Sequence, residues 1–202
     1  ERALFFDRHN KVAEAFLKAY PQLRALAWVT LSERPYKLSP NRGMPDASDL
    51  GTVISMVKAN PGFMGLKFHP TIDQVPANDE RVKVFLRELA KLQHPLGLQY
   101  SVLIHGAVDY GEPRQIRELA EEFPNLNFII GHIFIDNTVE GGKDSWSRRL
   151  EAMQLARDLP NVYLETSWAP WGIILKAIEI DGSDKVIFGT DLMSGTHHEK
   201  NN

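Results

Sequence analysis

Four polar side chains stand at the ends of apolar segments, and together they could bind a metal ion and use it. Lys67 and His105 follow apolar residues in GLKF and SVLIH, and His132 and Asp191 do so in NFIIGH and KVIFGTD. Two imidazoles and a carboxylate suit Zn²⁺ or another first-row divalent ion, whereas Mg²⁺ prefers oxygen ligands. Such an ion lowers the pKa of a bound water molecule, and Asp191 could take the proton of that water.

Strand geometry predicts that these side chains meet. Residues two apart in a strand share a face, so Lys67 and His69 are expected on the same face of their strand. His105 and His132 share a face with the residues two and four positions before them. In a closed barrel one face of every strand points to the axis, so these side chains and Asp191 are expected at its mouth.

Alternating helices and strands position these residues. The predicted helices cover about 7–20, 46–59, 79–92, 112–123, 146–159 and 170–180, and the predicted strands are 24–31, 63–70, 98–105, 126–132, 162–167 and 185–191. Such alternation is typical of a parallel sheet with helices outside it. No GxGxxG and no P-loop motif occurs, and polar residues end at least four different strands. These two facts favour an α/β barrel over an open doubly wound sheet.

Composition and charge exclude several classes of function. The chain has 202 residues, of which 43% are hydrophobic and 24% charged, so it can bury a substantial core and is not expected to be disordered. A net charge of -3 gives no reason to expect a nucleic acid partner. The apolar runs are far shorter than the roughly 20 residues that span a bilayer, and no cysteine is present. We therefore expect a single cytoplasmic domain over residues 1–202 without a membrane partner.

The strand-end residues, Lys67 in GLKFHP, His105 in LIHG, His132 in IIGH and Asp191 in FGTD, occur in an order that resembles the amidohydrolase superfamily of metal-dependent TIM barrels. The nearer resemblance is to the branch that contains aminocarboxymuconate semialdehyde decarboxylase and various lactone and amide hydrolases. It implies that His105 is a metal ligand and that His132 either binds metal or orients the water and the substrate. It also implies that Asp191 binds metal and shuttles the proton. Lys67 occupies a position comparable to a lysine that is carboxylated and bridges two metals in binuclear relatives.

One feature of that superfamily is missing from the sequence. The first strand of its members carries a His-x-His pair of metal ligands, and no His-x-His occurs here. If His105 ends strand five, the segment RALAWVTL is strand three. The expected fold is therefore a TIM (β/α)8 barrel of which this chain contains strands 3 to 8, incomplete at both ends.

Three functions remain open at this point. The first is a metal-dependent hydrolase in which a metal-activated water attacks an ester, lactone or amide of a small molecule. The second is a non-oxidative decarboxylase with the same metal site, and the third is a barrel that has lost its metal and serves as a binding or scaffold protein. The resemblance also implies a homodimer.

Further residues have weaker claims to a role. His69, which precedes a proline, and Trp168 are expected to contact the substrate if the site is catalytic, and otherwise they end a strand or pack in the core. The same two interpretations, a wall of the substrate site or a core residue, apply to Trp171. Glu165 receives no role from the sequence. His9 is expected on the surface of the first helix.

Overall fold

The computed structural model describes residues 4–31, 48–135 and 144–191. The segment 32–45, whose Pro, Ser, Asn and Gly residues predict a loop, lies outside these ranges, as do the adjacent histidines at 197 and 198, which are expected in a solvated loop. Within these ranges seven helices and six strands follow one another along the chain: α1 Leu4–Ala19, β1 Ala25–Val29, α2 Leu50–Ala59, β2 Phe63–Phe68, α3 Pro70–Asp73, α4 Glu80–Ala90, β3 Ser101–Ala107, α5 Pro113–Glu122, β4 Asn127–Ile135, α6 Asp144–Asp158, β5 Val162–Glu165, α7 Trp171–Asp181 and β6 Val186–Ile187. A single 3₁₀ turn, Ser183–Lys185, leads into β6.

The six strands form one parallel sheet in the order β1-β2-β3-β4-β5-β6. Each strand therefore pairs with the strands that precede and follow it along the chain. A doubly wound sheet reverses its strand order at a switch point, and this sheet has no reversal. Sequential parallel strands with right-handed crossovers are the arrangement of a (β/α) barrel, so the predicted α/β barrel class is confirmed for these six strands.

Local sequence explains where the helices begin. The sequence suggests Asn78 or Asp79 as the cap of α4, and the structure has Asp79, whose carboxylate accepts a hydrogen bond from the backbone N–H of Arg81 at 3.0 Å. The cap of α2 is Asp49, which accepts from the N–H of Thr52 at 2.7 Å. The sequence suggests Asp46 or Ser48 as this cap, so the prediction is wrong by three residues or by one.

The two faces of the sheet differ in burial. Side chains such as Ile104, Phe128 and Leu164 are fully buried. They alternate with half-buried residues such as Leu103 and Tyr163 on the opposite face, which also carries Lys67. The fully buried residues belong to the main hydrophobic core. The half-buried face is the one that points to the axis in a closed barrel, and it carries polar residues near the carboxyl ends of the strands.

A bulge at Gly65 sets the register of β2. The pairing of β1 with β2 shifts by one residue between Ala25 and Ala27. Gly65 has φ of +143°, and a Cβ there would lie 1.8 Å from the carbonyl oxygen of Ser101. Only glycine fits this close approach of two strands, and past the bulge the register places Lys67 opposite Leu103.

Some predicted bounds were wrong. β6 covers two residues rather than seven, so Asp191 lies four residues beyond the end of its strand. β3 and β4 continue past His105 and His132 by two and three residues. The segment 71–78, which the sequence suggests is a loop, begins within the short helix α3. Among the helices of the described ranges, none is long and apolar enough to cross a membrane.

Candidate active site

Two buried histidines from neighbouring strands form the centre of the site. His105 of β3 and His132 of β4 are 8% and 4% exposed. The Nδ1 atom of His105 lies 3.1 Å from the Nε2 atom of His132, and the two rings meet edge to face at 4.8 Å between centroids. The structure therefore brings these two imidazoles together, as the sequence predicts.

An unusual backbone brings His132 to His105. The register pairs Ile104 with Ile130 and His105 with Gly131, so regular alternation would turn His132 to the side opposite His105. Instead His132, Ile133 and Phe134 all have positive φ, of 67°, 46° and 65°. A left-handed conformation costs roughly 1–2 kcal/mol for each non-glycine residue. The expectation that His132 follows the alternation of its strand is wrong, because these three residues redirect its side chain.

His69 and Trp28 extend this centre along the strand ends. The ring of His69 stacks on that of His105, with 3.8 Å between centroids and 17° between planes. Trp28 of β1 lies beyond His69 at 6.4 Å in a stacked arrangement. The Nδ1 atom of His69 accepts a hydrogen bond from the N–H of Ile72 at 3.3 Å and caps α3. Neutral His69 therefore carries its proton on Nε2.

Glu165, at the end of β5, contacts both the backbone and the neighbours of His132. Its Oε2 atom accepts from the backbone N–H of His132 at 3.1 Å and from the hydroxyl of Ser167 at 2.7 Å. Its Oε1 atom accepts from the N–H of Ser167 at 2.7 Å. The Nδ1 atom of His132 lies 2.8 Å from Ser167 Oγ and 3.1 Å from the Ser167 carbonyl oxygen. The second histidine is thus held on its far side by one carboxylate and one serine.

Lys67, Asp191 and Trp168 lie around this centre. The Nζ atom of Lys67 lies 5.7 Å from the centroid of the Trp28 ring. The indole Nε1–H of Trp168 donates to Oδ2 of Asp191 at 3.0 Å. Both residues of that pair are exposed, Trp168 by 47%, and Trp171 is 71% exposed. The core reading of the two tryptophans is therefore wrong.

Burial controls the protonation of the site. Desolvation is the largest cause that lowers the pKa of His105 to about 2 and that of His69 to about 3. The pKa of His132 is also lowered by burial, and the charge of Glu165 acts against this shift. Burial lowers the pKa of Lys67, while the carboxylates of Asp191 and Glu165 raise it. Near neutral pH the three imidazoles are uncharged, which is the form that binds metals.

The described residues fit part of a metal site. Two nitrogens that each lie 2.0–2.1 Å from one ion are about 2.8–3.4 Å apart at angles between about 90° and 110°. The 3.1 Å between His105 Nδ1 and His132 Nε2 falls in this range. Across residues 4–31, 48–135 and 144–191, however, no group of three or more His, Cys, Asp or Glu side chains is arranged to hold an ion. A third ligand would have to come from another part of the protein or from a different position of Asp191.

Sequence reasoning found most of these side chains and missed three. It named His105, His132, His69 and Lys67, which the structure brings to one end of the sheet. It missed Glu165, Ser167 and Trp28. The signal that could have drawn attention to Glu165 and Ser167 is that they are two residues apart in the polar run that ends β5. A surface groove of about 510 Å³ is lined by Val84, Phe123 and neighbouring residues on the outer helices, and by none of the predicted site residues.

Comparison with known proteins gives both a family and a fold. A family model described as amidohydrolase matches residues 1–194. No curated protein matches the chain. Among solved structures, the chain is similar to 5-carboxyvanillate decarboxylase from Novosphingobium aromaticivorans, with 12% identity and a TM-score of 0.55 over 94% of this chain and 60% of that one. That structure holds manganese and 3-methoxy-4-hydroxy-5-nitrobenzoic acid.

A second similar structure is that of IDCase from Metarhizium anisopliae in its apo form. The identity is 14% and the TM-score is 0.52, over 95% of this chain and 58% of that one. The chain thus spans about 60% of the length of the carboxyvanillate decarboxylase and slightly less of IDCase. At these identities the likeness supports the fold, and function has to be argued from the site.

Proposed function

The chain belongs to the amidohydrolase family, and from this premise we propose that it is a metal-dependent hydrolase of a small molecule. The observation that carries the proposal is the pair of buried, neutral imidazoles, with 3.1 Å between His105 Nδ1 and His132 Nε2, near the carboxyl ends of two parallel strands. Active sites of α/β barrels lie at this end. We propose Zn²⁺ or another first-row divalent ion as the cofactor, with His105 and His132 among its ligands.

Each surrounding residue has a role in this proposal. A divalent ion at the site would supply a water molecule of lowered pKa and would polarise the carbonyl that is attacked. Asp191, whose carboxylate is exposed at the rim, would ligate the ion or accept the proton of the attacking water as the general base. Lys67 would bind an anionic group of the substrate or would ligate the ion. His69, with its proton on Nε2, would donate a hydrogen bond to the substrate.

The remaining expectations belong to the same proposal. Trp168 would form one wall of the substrate site, since its indole is half exposed and tied to Asp191. We propose that residues 1–202 belong to one barrel domain. We also propose that the protein acts in the cytoplasm as a homodimer.

Decarboxylation is the second candidate, and two observations favour it. A decarboxylase substrate carries a carboxylate, and the positive charge of Lys67 acts electrostatically on both His105 and His132. In addition, the 5-carboxyvanillate decarboxylase of similar fold binds manganese and a benzoic acid. In this reaction a protonated side chain would deliver H⁺ to the carbon that loses CO₂.

Two measurements test the proposal. Metal analysis of the protein should find about one or two equivalents of a divalent ion, and the His105→Ala and Asp191→Ala variants should lose it. The loaded protein is then assayed on a panel of lactones, esters and amides and on a panel of aromatic and dienoic acids. Acid release from the first panel supports the hydrolase, and CO₂ release from the second replaces it by the decarboxylase. If the protein binds no metal and turns over no member of either panel, the barrel that serves as a binding or scaffold protein is the function that remains.

A further inference from the structure

We propose that Glu165 and Ser167 are positioning residues that fix the neutral tautomer of His132, with the proton on Nδ1 and a free lone pair on Nε2. The inference deepens the proposed function, because Nε2 is the atom that faces His105. The importance of this tautomer for catalysis rests on the proposed function, whereas the position of the proton follows from the hydrogen bonds alone.

The directions of the hydrogen bonds around Ser167 decide the tautomer. A carboxylate and a carbonyl oxygen can only accept, and a serine hydroxyl has one hydrogen to donate. That hydrogen goes to Oε2 of Glu165 at 2.7 Å. The Oγ and carbonyl oxygen of Ser167 are then both acceptors, at 2.8 Å and 3.1 Å from Nδ1 of His132. Nδ1 must therefore carry the proton.

The opposite tautomer fails twice. If Nδ1 of His132 were unprotonated, the Ser167 hydroxyl would have to donate to it. Oγ of Ser167 would then face Oε2 of Glu165 at 2.7 Å without a hydrogen between them, and the Ser167 carbonyl would face a lone pair on Nδ1. Each of these contacts leaves a buried polar group without a donor, at a cost of about 1–3 kcal/mol.

The same constraint extends to the first histidine. With Nε2 of His132 unprotonated, the 3.1 Å contact requires that Nδ1 of His105 donates. Neutral His105 then has its free lone pair on Nε2. If both facing nitrogens are to act as ligands, only the proton of His105 has to change position, because that of His132 is already on the outer side.

Glu165 also holds the backbone from which His132 projects. The pairing of β4 with β5 ends at Ile130 and Leu164, so the N–H of His132 has left the ladder between these strands. It donates to Glu165 instead, at the first of the three residues with positive φ. One carboxylate thus fixes the left-handed turn and, through Ser167, the ring of His132.

The absence of a side chain at Gly189 leaves the space that the carboxylate of Glu165 occupies. A Cβ at position 189 would lie 1.7 Å from Oε1 and 2.6 Å from Cδ of Glu165. The N–H of Gly189 donates to the hydroxyl of Thr166 at 3.1 Å, which holds the glycine backbone against the end of β5. A side chain at position 189 would push Glu165 away from Ser167. Such a substitution disturbs the hydrogen bonds of His132 without replacing any residue that forms them.

The experiment measures the tautomer of His132 directly. Uniformly ¹⁵N-labelled protein, freed of metal with EDTA, is studied near neutral pH by long-range ¹H–¹⁵N correlation, which distinguishes a protonated Nδ1 from a protonated Nε2. The His132→Gln variant assigns the signals. The expected result is a His132 ring protonated on Nδ1 in the wild-type protein. A ring protonated on Nε2 would overturn the inference.

Three variants separate positioning from a merely structural role. Ser167→Ala and Gly189→Ala should both increase the Nε2–H tautomer of His132, and Gly172→Ala should not. Gly172 is the matched control, because a Cβ there meets nothing within 4 Å. If Gly189→Ala and Ser167→Ala both keep the wild-type tautomer while circular dichroism shows a folded protein, the two residues do not control it and the inference fails.

A titration with Zn²⁺ alone connects the tautomer to metal binding. Outer residues that orient a ligating histidine contribute about 10–100-fold to metal affinity, and a loss of that size is expected in Ser167→Ala and Gly189→Ala but not in Gly172→Ala. If the wild-type tautomer is as expected but Zn²⁺ does not bind, the proposed function fails and the inference stands. If Zn²⁺ binds equally to all four proteins, the positioning role fails even though the proposed function survives.

Discussion

Acidification should destabilise the metal-free protein through its buried imidazoles. The pKa of His105 is lowered to about 2 and that of His69 to about 3, mainly by burial, against 6.5 in the unfolded chain. At pH 5 both side chains are neutral in the folded state and protonated in the unfolded state. The unfolded state then binds more protons, so the free energy of unfolding falls as the pH drops below 6.5.

The magnitude follows from proton linkage. A histidine of pKa 6.5 that is kept neutral by folding favours the unfolded state by about 2 kcal/mol at pH 5 and by about 0.2 kcal/mol at pH 7. His69 and His105 together should therefore account for a loss of roughly 4 kcal/mol between these two pH values, a large part of the stability of a typical domain.

Urea denaturation in EDTA, followed by circular dichroism at pH 7, 6 and 5, measures this loss. The double variant His69→Gln, His105→Gln should lose about 4 kcal/mol less than the wild-type protein over the same interval, and His105→Gln alone about 2 kcal/mol less. His9→Gln removes an exposed histidine from α1 and serves as the control. If the double variant is as sensitive to pH as the wild-type protein, the two imidazoles are not held neutral by burial and our account of the site's protonation is wrong.

Three other substitutions test the site and the sheet. Lys67→Met should raise KM for anionic substrates at least about tenfold, with less effect on uncharged ones, since it removes the positive charge beside the imidazoles. Steady-state kinetics on charged and uncharged members of one substrate series would measure this difference in KM. Asp191→Asn should lower kcat by about 10²–10⁴-fold, as expected for loss of a general base or of a metal ligand at this position, and steady-state kinetics together with metal analysis of the variant would separate the two roles. Gly65→Ala should destabilise the protein by more than about 3 kcal/mol in urea, because the new Cβ would lie 1.8 Å from a carbonyl oxygen of β3.

The periodic parts of the fold could be predicted from the sequence. Apolar runs of strand length and helices with an apolar stripe identified all six strands and six of the seven helices, because both patterns reflect burial on known faces. The predicted bounds were wrong for β6, where the apolar residues of VIF suggested a longer buried strand. Only Val186 and Ile187 pair with β5, and Phe188 is 83% exposed.

The candidate site could be predicted only in part, for a physical reason. His105 was found because it lies on the regular face of its strand. His132 was placed at the right end of its strand by an argument that would have turned it the wrong way, since positive φ at three successive residues has no signature in GHIFI. Glu165 was missed because its importance lies in contacts with residues two and 33 positions away, and a single sequence does not reveal which side chains at neighbouring strand ends form hydrogen bonds with one another.

The sequential order of the strands has a consequence for how the protein is made. During synthesis β3 and β4 leave the ribosome before β5, and the three strands lie side by side in the sheet in that same order. A nascent chain that stops short of Glu165 can already bring the two imidazoles to adjacent strands, but it lacks the carboxylate that anchors the second one. By our proposal, the ring of His132 is fixed in its Nδ1–H tautomer only after translation has passed Glu165, Ser167 and Gly189, so a fixed tautomer at this histidine would mark a late stage of folding.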